Sequence, residues 1–107
     1  MYAIAFDLEI AVLQQQYHNA SYNNAYGDIA KHLAKHGFSR QQGSVYFGDN
    51  TVDAVSCVLA VQSLATTFGW FTPAVRDIRM LRIEEDNDLM PAIVAVAAPA
   101  APAAATV

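Results

Sequence analysis

Two residues far apart in the sequence, Asp7 and Ser44, are the first candidates for chemistry in this chain. Asp7 lies at the end of an alternating apolar segment, MYAIAFDL, and Ser44 lies at the start of another, GSVYFG. A carboxylate at a strand end beside a hydroxyl can hold a divalent cation or act as a base toward a ribose 2′-hydroxyl. The alternative is structural, with Asp7 capping a turn and Ser44 bonding to backbone.

A second group of charges lies on the last predicted strand. Arg76, Arg79 and Arg82 are half of the six Lys and Arg residues of the chain. Along a strand, Arg76 and Arg82 share one face, and Asp77 shares the other with Arg79. Arginine can bind phosphate in a bidentate manner, but these arginines can also pair across a dimer with the acids of residues 84–88. Pairing is favoured for Arg82, and the roles of Arg76 and Arg79 stay open.

The tyrosines could stack on nucleic-acid bases. Tyr22 and Tyr26 have the spacing of core residues on a helix. Tyr46 shares its strand face with Ser44, so it is the tyrosine that we select as a nucleic-acid contact.

Other familiar sites find little support. His32 and His36 could share a metal-binding helix face, but no Cys or acidic residue at ligand spacing joins them. The glycines match no nucleotide-binding fingerprint. The single cysteine, Cys57, excludes an internal disulfide framework, suits a reducing compartment and falls in an apolar helical pattern. We expect a buried, inert thiol.

Composition limits the class of protein. The net charge of −4 argues against non-specific coating of nucleic acid, but a nuclease needs only a local cluster of cations. No apolar run approaches the length of a membrane span, and the amino terminus lacks a basic region before an apolar stretch. We expect a soluble cytoplasmic protein with no membrane contact. Residues 1–93 are predicted to form one domain, and the Ala/Pro-rich residues 94–107 a disordered tail.

The elements that must position these residues follow from hydrophobic periodicity and helix signals. They are a strand over 1–8, a polar loop, a helix over 22–36 capped by Ser21 and closed by Gly37, strands over 38–42 and 43–48, a helix capped at Asn50 or Thr51 and stopped at Gly69, and a strand over 75–85. The buried face predicted for the second helix is Val55, Val58, Leu59, Gln62 and Ala65, with Trp70 and Phe71 covering one end of the core. This order predicts a ferredoxin-like βαββαβ fold, an antiparallel sheet with both helices on one face. In that fold the first and third strands are neighbours, which places Asp7 beside Ser44.

The last strand changes its apolar face partway. Ile78 and Met80 are apolar on the even positions, whereas Leu81 and Ile83 are apolar on the odd ones. Either a bulge follows Met80, or the strand leaves its sheet and packs its other face on a second copy. We favour the second, with residues 84–93 as a further strand or arm for exchange. The sequence therefore predicts a strand-exchanged homodimer.

Four segments together resemble a known family: MYAIAFDL, SYNNAYGDI, QGSVYFGDNTVDAV and VRDIRMLRIEEDNDLMPAI. They look like the virulence-associated protein D family over nearly all of residues 1–93. That family is similar to the small ferredoxin-like subunit of CRISPR adaptation complexes, in which strand one also ends in an acid and strand three carries a serine. The Ala/Pro tail is not part of the family pattern.

The resemblance implies an intertwined homodimer and a bacterial endoribonuclease, the toxin of a toxin–antitoxin pair, with an antitoxin protein as partner. The resemblance implies that Asp7 and Ser44 are site residues, and it makes Asp77 a third candidate. RNA is expected across the dimer, with Arg76 or Arg79 on phosphate. Asp7 would act as a base or through a Mg²⁺ or Mn²⁺ ion shared between subunits. The rival hypothesis is a catalytically silent dimeric scaffold, which the acidic net charge favours.

Overall fold

The computed structural model describes residues 1–18 and 20–97, which form four strands and five helices. The strands are β1 (Tyr2–Leu8), β2 (Phe38–Gln42), β3 (Val45–Gly48) and β4 (Val75–Arg82), and the helices are α1 (Ile10–Gln16), α2 (Asn24–Ala34), α3 (Ala54–Thr67), α4 (Phe71–Ala74) and α5 (Met90–Val96). The sheet order is β2-β3-β1-β4, and every pair is antiparallel. This confirms the predicted α+β class, and the strand order is compatible with a ferredoxin-like fold. Within the described residues, no helix combines the length and apolarity needed to cross a membrane.

The core lies between the helices and one face of the sheet. Ile4 and Phe6 alternate along β1 toward this core, as the period of a strand requires. The Phe6 ring stacks on Tyr46 at 6.0 Å between centroids and meets Phe71 edge-on at 6.2 Å. Trp70 and Phe71 are both buried, in agreement with the prediction that they cover part of the core.

The segment after β1 holds a helix that the sequence analysis assigned to a loop. Helix α1 (Ile10–Gln16) buries Leu13 completely, while its glutamines stay exposed. The next helix, α2, is shorter than predicted and begins after Asn23 rather than Ser21. Gly37 follows it with a φ of 88°, a conformation that favours glycine, and this confirms the predicted stop.

Helix α3 begins later than predicted. Asp53, rather than Asn50 or Thr51, is its N-cap residue, and its carboxylate accepts a 2.7 Å hydrogen bond from the Ser56 N–H. The bonds from the Ser56 N–H and hydroxyl lower the pKa of Asp53. The helix ends at Thr67, two residues before the predicted Gly69.

The face of α3 that packs on the core is not the predicted one. Val55 is 66% exposed, and Val58 and Leu59 are exposed as well. The residues that are buried instead are Cys57, Ala60 and Leu64. Because α3 is apolar on nearly all sides, spacing alone does not single out one face. Burial raises the pKa of the Cys57 thiol, as expected for an unreactive cysteine.

Strand β4 stays paired with β1 along its whole length. The partners run from Asp7 opposite Asp77 to Tyr2 opposite Arg82 without a shift, so the bulge considered after Met80 is absent from this ladder. The strand also does not leave its own sheet within Val75–Arg82.

The segment after β4 corrects a further prediction. No strand is found in residues 84–93; Met90–Val96 instead form helix α5, with Pro91 in its first turn, where proline is tolerated. Residues 94–96 of the predicted tail belong to this helix, and residues 98–107 lie outside the described part of the chain.

Two glycines bracket the β3 segment for different reasons. Gly43 has a φ of 53° in the turn between β2 and β3, a conformation that favours glycine. Gly48 needs no unusual backbone, but a Cβ atom there would lie 2.9 Å from the Cβ of Val52. Gly48 is therefore required for close packing rather than for turn geometry.

We expect Gly48→Ala to lower the free energy of unfolding by about 1–3 kcal/mol, because the new methyl group overpacks against Val52. Gly27→Ala is the matched control, since a Cβ at this position in α2 meets nothing within 4 Å. Alanine in a helix should raise stability there by about 0.5–1 kcal/mol. Urea unfolding of both variants checks the pair, and equal effects would contradict this account.

Candidate active site

The carboxyl end of β1 carries an exposed cluster of opposite charges. Asp7 pairs directly with Asp77 of β4, so the two carboxylates lie on the same face of the sheet. This face is opposite to the one on which Phe6 packs in the core. Arg79 shares it, and the Arg79 Nε donates to both carboxylate oxygens of Asp77 at 3.1 Å. The pairing of Arg79 offsets the repulsion between two directly opposed acids.

Arg76 occupies a bulge in β4. The register shifts between Asp7 and Leu8, where one step on β1 corresponds to two steps on β4, from Asp77 to Val75. Arg76 is therefore the extra residue, and bulges of this kind redirect a side chain. The arrangement brings a cation from the edge of the sheet to the end of the central strand.

The guanidinium of Arg76 lies between two acids. Its Nη1 is 3.5 Å from Oδ2 of Asp7, and its Nη2 donates to Oε2 of Glu9. The hydrogen bond to Glu9 and the charges of Glu9 and Asp7 raise the pKa of Arg76. The Asp7 and Arg76 side chains are 60% and 59% exposed. The acid is thus ion-paired but open to solvent and to a ligand.

Glu9 was not among the residues selected from the sequence. Its signal was available, because Glu9 follows Asp7 by two positions and so falls on the same side of an extended chain. Arg40 was also missed. Arg40 lies opposite Tyr46 in the β2–β3 ladder, and its Nε donates to the Gly43 carbonyl at 2.7 Å.

Tyr26 of helix α2 lies close enough to Asp7 and Arg40 for their charges to affect its pKa. Burial raises the pKa of its phenol, the charges of Tyr22 and Asp7 raise it further, and Arg40 lowers it. Tyr22 and Tyr26 are half-buried and pack against the core, as their spacing predicted.

Ser44 is displaced by one residue from the position on the neighbouring strand that is opposite Asp7. The Phe6 N–H donates to the Ser44 carbonyl at 3.1 Å, which places Ser44 opposite Phe6 rather than opposite Asp7. Ser44 is half-buried in the turn before β3. The structure thus brings the two residues close in the backbone, while alternation along β1 directs Asp7 to the other face of the sheet.

Two further candidates lie elsewhere than expected. Tyr46 is 1% exposed and stacks on Phe6, so its ring belongs to the core and does not present a surface to bases. Arg82 pairs with Glu84 of the same chain at 3.2 Å, so the predicted partner from the acidic run is found within one chain.

The carboxylates of one chain do not form a complete metal site. Among residues 1–18 and 20–97, no three His, Cys, Asp or Glu side chains are grouped so as to hold a metal ion. The space beside Asp7 is taken by the Arg76 guanidinium, and Asp77 is engaged by Arg79. A cation bound by Asp7 would therefore need ligands from outside this chain.

The cluster joins a solvent-accessible carboxylate to two guanidinium groups. Such a carboxylate can take a proton from a hydroxyl, and guanidinium groups can hold a phosphate and stabilise the charge that develops on it. Together these groups can act on a phosphate ester.

Comparisons with known proteins point in the same direction. Residues 1–90 match the family described as CRISPR associated protein Cas2. The chain is 50% identical over 93 residues to Endoribonuclease VapD 2 of Riemerella anatipestifer, covering 87% of this chain and 99% of the relative. It is 54% identical over 93 residues to the Endoribonuclease VapD homolog of Helicobacter pylori, covering 87% and 96%. Endoribonuclease VapD of Dichelobacter nodosus is 43% identical over 88 residues, covering 82% and 91%.

Proposed function

Because the chain belongs to the VapD family of endoribonucleases and matches the Cas2 family over most of its length, we infer that it is an RNA-cleaving enzyme. These matches confirm the resemblance drawn from the sequence. We place the reaction at the end of β1. The observation that carries this placement is an exposed Asp7 carboxylate 3.5 Å from the Arg76 guanidinium.

The chemistry follows from the groups present. Asp7 accepts the proton of a ribose 2′-hydroxyl, and the 2′-oxygen attacks the adjacent phosphorus. The bond from phosphorus to the 5′-oxygen breaks, leaving a 2′,3′-cyclic phosphate, and the departing 5′-oxygen takes a proton from water to become a 5′-hydroxyl. Arg76 and Arg79 hold the phosphate oxygens as negative charge develops on them. Single-stranded RNA suits this reaction, because its unstacked bases and flexible backbone can be splayed out on the protein surface.

Asp77 and Ser44 have supporting roles in this proposal. Asp77 fixes Arg79 through the two 3.1 Å hydrogen bonds and so keeps one guanidinium at the phosphate. Ser44 lies opposite Phe6, on the face of the sheet turned away from Asp7. The role predicted for it, positioning the attacking group or the phosphate, would therefore require RNA that passes around the end of β1.

We propose that the enzyme acts as a homodimer that packs through the outer face of its sheet. On this face Leu81 is 45% exposed and lies opposite Ala3, which in turn lies opposite the half-buried Phe47. Ala3, Ala5 and Leu81 on this face do not belong to the core cluster that packs against the helices. Helix α5 also has no buried residue, although it is almost entirely apolar. A second copy would cover these surfaces, and the two Asp7 residues would then lie on the joined faces.

Burial of Asp7 in ion pairs would favour the rival hypothesis of a silent scaffold. Its 60% exposure and the family membership favour catalysis instead. A Mg²⁺ or Mn²⁺ ion remains a prediction, and it would need the Asp7 residues of both copies. We further propose that the enzyme is the toxin of a toxin–antitoxin pair, inhibited by an antitoxin protein that covers the Asp7 region.

We expect Asp7→Asn to lower the cleavage rate of a labelled single-stranded RNA by about 100-fold or more, because the amide cannot accept the proton. Ser44→Ala should have a smaller effect, and Arg82→Gln, outside the site, should cleave like the wild type. A chelator lane tests the shared cation. Equal cleavage by wild type and Asp7→Asn would contradict the assignment.

The dimer is tested by Leu81→Glu, which should halve the molar mass measured by light scattering, because a buried carboxylate opposes face-to-face packing. Val55→Glu is the control, since Val55 is exposed on α3 and away from the sheet. Circular dichroism checks that both variants are folded. A wild-type protein that is monomeric at micromolar concentration would contradict the dimer.

The toxin role predicts that induced expression in a bacterial host stops growth, whereas expression of Asp7→Asn does not, because only the former cleaves cellular RNA. Growth curves at matched protein levels measure this. Unchanged growth with an active enzyme would exclude the toxin role and would leave the nuclease assignment unaffected.

A further inference from the structure

Glu9 occupies an unusual position for an acidic side chain. It is the N-cap residue of α1, where short side chains such as that of Asp commonly accept hydrogen bonds from the first free N–H groups of the helix. The Glu9 side chain makes no such bond. It accepts instead from Nη2 of Arg76, 67 positions away in the sequence. A local stabilising contact is absent, and a long-range contact to the proposed site is present.

The backbone of Glu9 is held firmly on both sides. Its N–H donates to the Ala74 carbonyl at 2.7 Å, and its carbonyl accepts from the Leu13 N–H at 2.9 Å. Ala74 and Leu13 are both fully buried. Ala74 is also only two residues before Arg76, so the two partners of the ion pair project from one anchored junction. A side chain on such a support is held with less conformational freedom than one on a loop.

Without Glu9, the Arg76 guanidinium would form a different ion pair. The Arg76 side chain is 59% exposed, and without Glu9 its remaining acidic partner is Asp7 at 3.5 Å. Arg76 would then pair fully with Asp7 and occupy the carboxylate that must accept the proton. With Glu9 holding Nη2, the guanidinium keeps only the 3.5 Å contact of Nη1 with Asp7, and a phosphate can compete for that edge.

We propose that Glu9 is a positioning residue for RNA cleavage, which anchors the Arg76 guanidinium beside Asp7 through its carboxylate. This inference rests on the proposed function, because it assigns Arg76 to the phosphate. Glu9 itself touches neither the RNA nor the reacting atoms. It acts through Arg76.

The test separates positioning from stability. Glu9→Asp gives α1 a shorter acid that is a favoured N-cap residue and draws the carboxylate away from Arg76 toward the first helix N–H groups, so unfolding should occur at the same or higher urea concentration. RNA cleavage should nevertheless fall by about tenfold in kcat/KM, the loss expected for one hydrogen bond between charged groups. A purely structural role predicts that activity follows stability. Activity and stability that change together would overturn the proposal.

A double-mutant cycle tests whether the effect passes through Arg76. Glu9→Gln should lower kcat/KM by about tenfold in the wild-type background and by less than about twofold when Arg76→Gln is already present. Glu84→Gln, which removes the exposed partner of Arg82, is the matched control and should leave kcat/KM unchanged. Independent, additive effects of Glu9 and Arg76 would overturn the proposal.

A measurement without RNA tests the contact between Glu9 and Arg76 separately from the proposed function. In ¹⁵N NMR spectra of the arginine side chains, Arg76 should show separate Nη signals from restricted rotation, and these should merge in Glu9→Gln. A wild-type protein that cleaves no RNA would overturn the proposed function, and the NMR signals would then decide by themselves whether Glu9 anchors Arg76. Unchanged Arg76 signals in Glu9→Gln would overturn the anchor even in an active enzyme.

Discussion

The pairing of β1 with β4, including one extra residue at Arg76, is the constraint on which the rest of the molecule depends. Strand β1 is central, and its two ladders fix which residues face the helices and which face outward. From Asp7 to Tyr2 the β4 ladder is regular, so Ile4 and Phe6 enter the core while Asp7 stays outside it. The register shift at Arg76 ends this regular pairing next to Asp7, where the charged side chains of the proposed site lie.

The elements that depend on local signals could be predicted from the sequence. The segment Phe38–Gln42 forms the predicted strand, and Gly37 ends the first long helix through its positive φ. Helix α1 was missed because its exposed glutamines resemble a polar loop, while a single buried Leu13 anchors it. The face of α3 was wrong because an apolar helix gives no periodic contrast, and small residues such as Ala60 allow its close approach.

The candidate site was predicted in part for the same physical reason. Asp7, Asp77 and the arginines could be found because a strand end and a charged strand are visible as patterns. Their mutual arrangement depends on the bulge at Arg76, which cannot be recognised from the alternation of apolar residues. The contact between Arg76 and Glu9 could therefore be found only from the fold. Tyr46 was misplaced because it was selected for sharing a strand face with Ser44, and that face packs in the core, where the Tyr46 ring fills the space beside Phe6.

The ion pairs also limit how strongly a chain with a net charge of −4 can hold RNA. The two guanidinium groups at the end of β1 are balanced by acids in the free protein, so they do not make a strongly basic surface. A phosphate must compete with Asp7 and Asp77 for them. Binding should therefore be weak for a random stretch of backbone and depend on a substrate that engages several groups at once.

The bulge has a consequence for how this site can change over generations. Because Arg76 is an additional residue rather than a rung of the ladder, deletion of its single codon would restore simple pairing. Asp77 to Arg82 would keep their partners, and the hydrophobic pattern of the sheet would not be inverted. The protein could thus gain or lose its cation as a separable module, and a related chain could keep the same architecture while abandoning the chemistry.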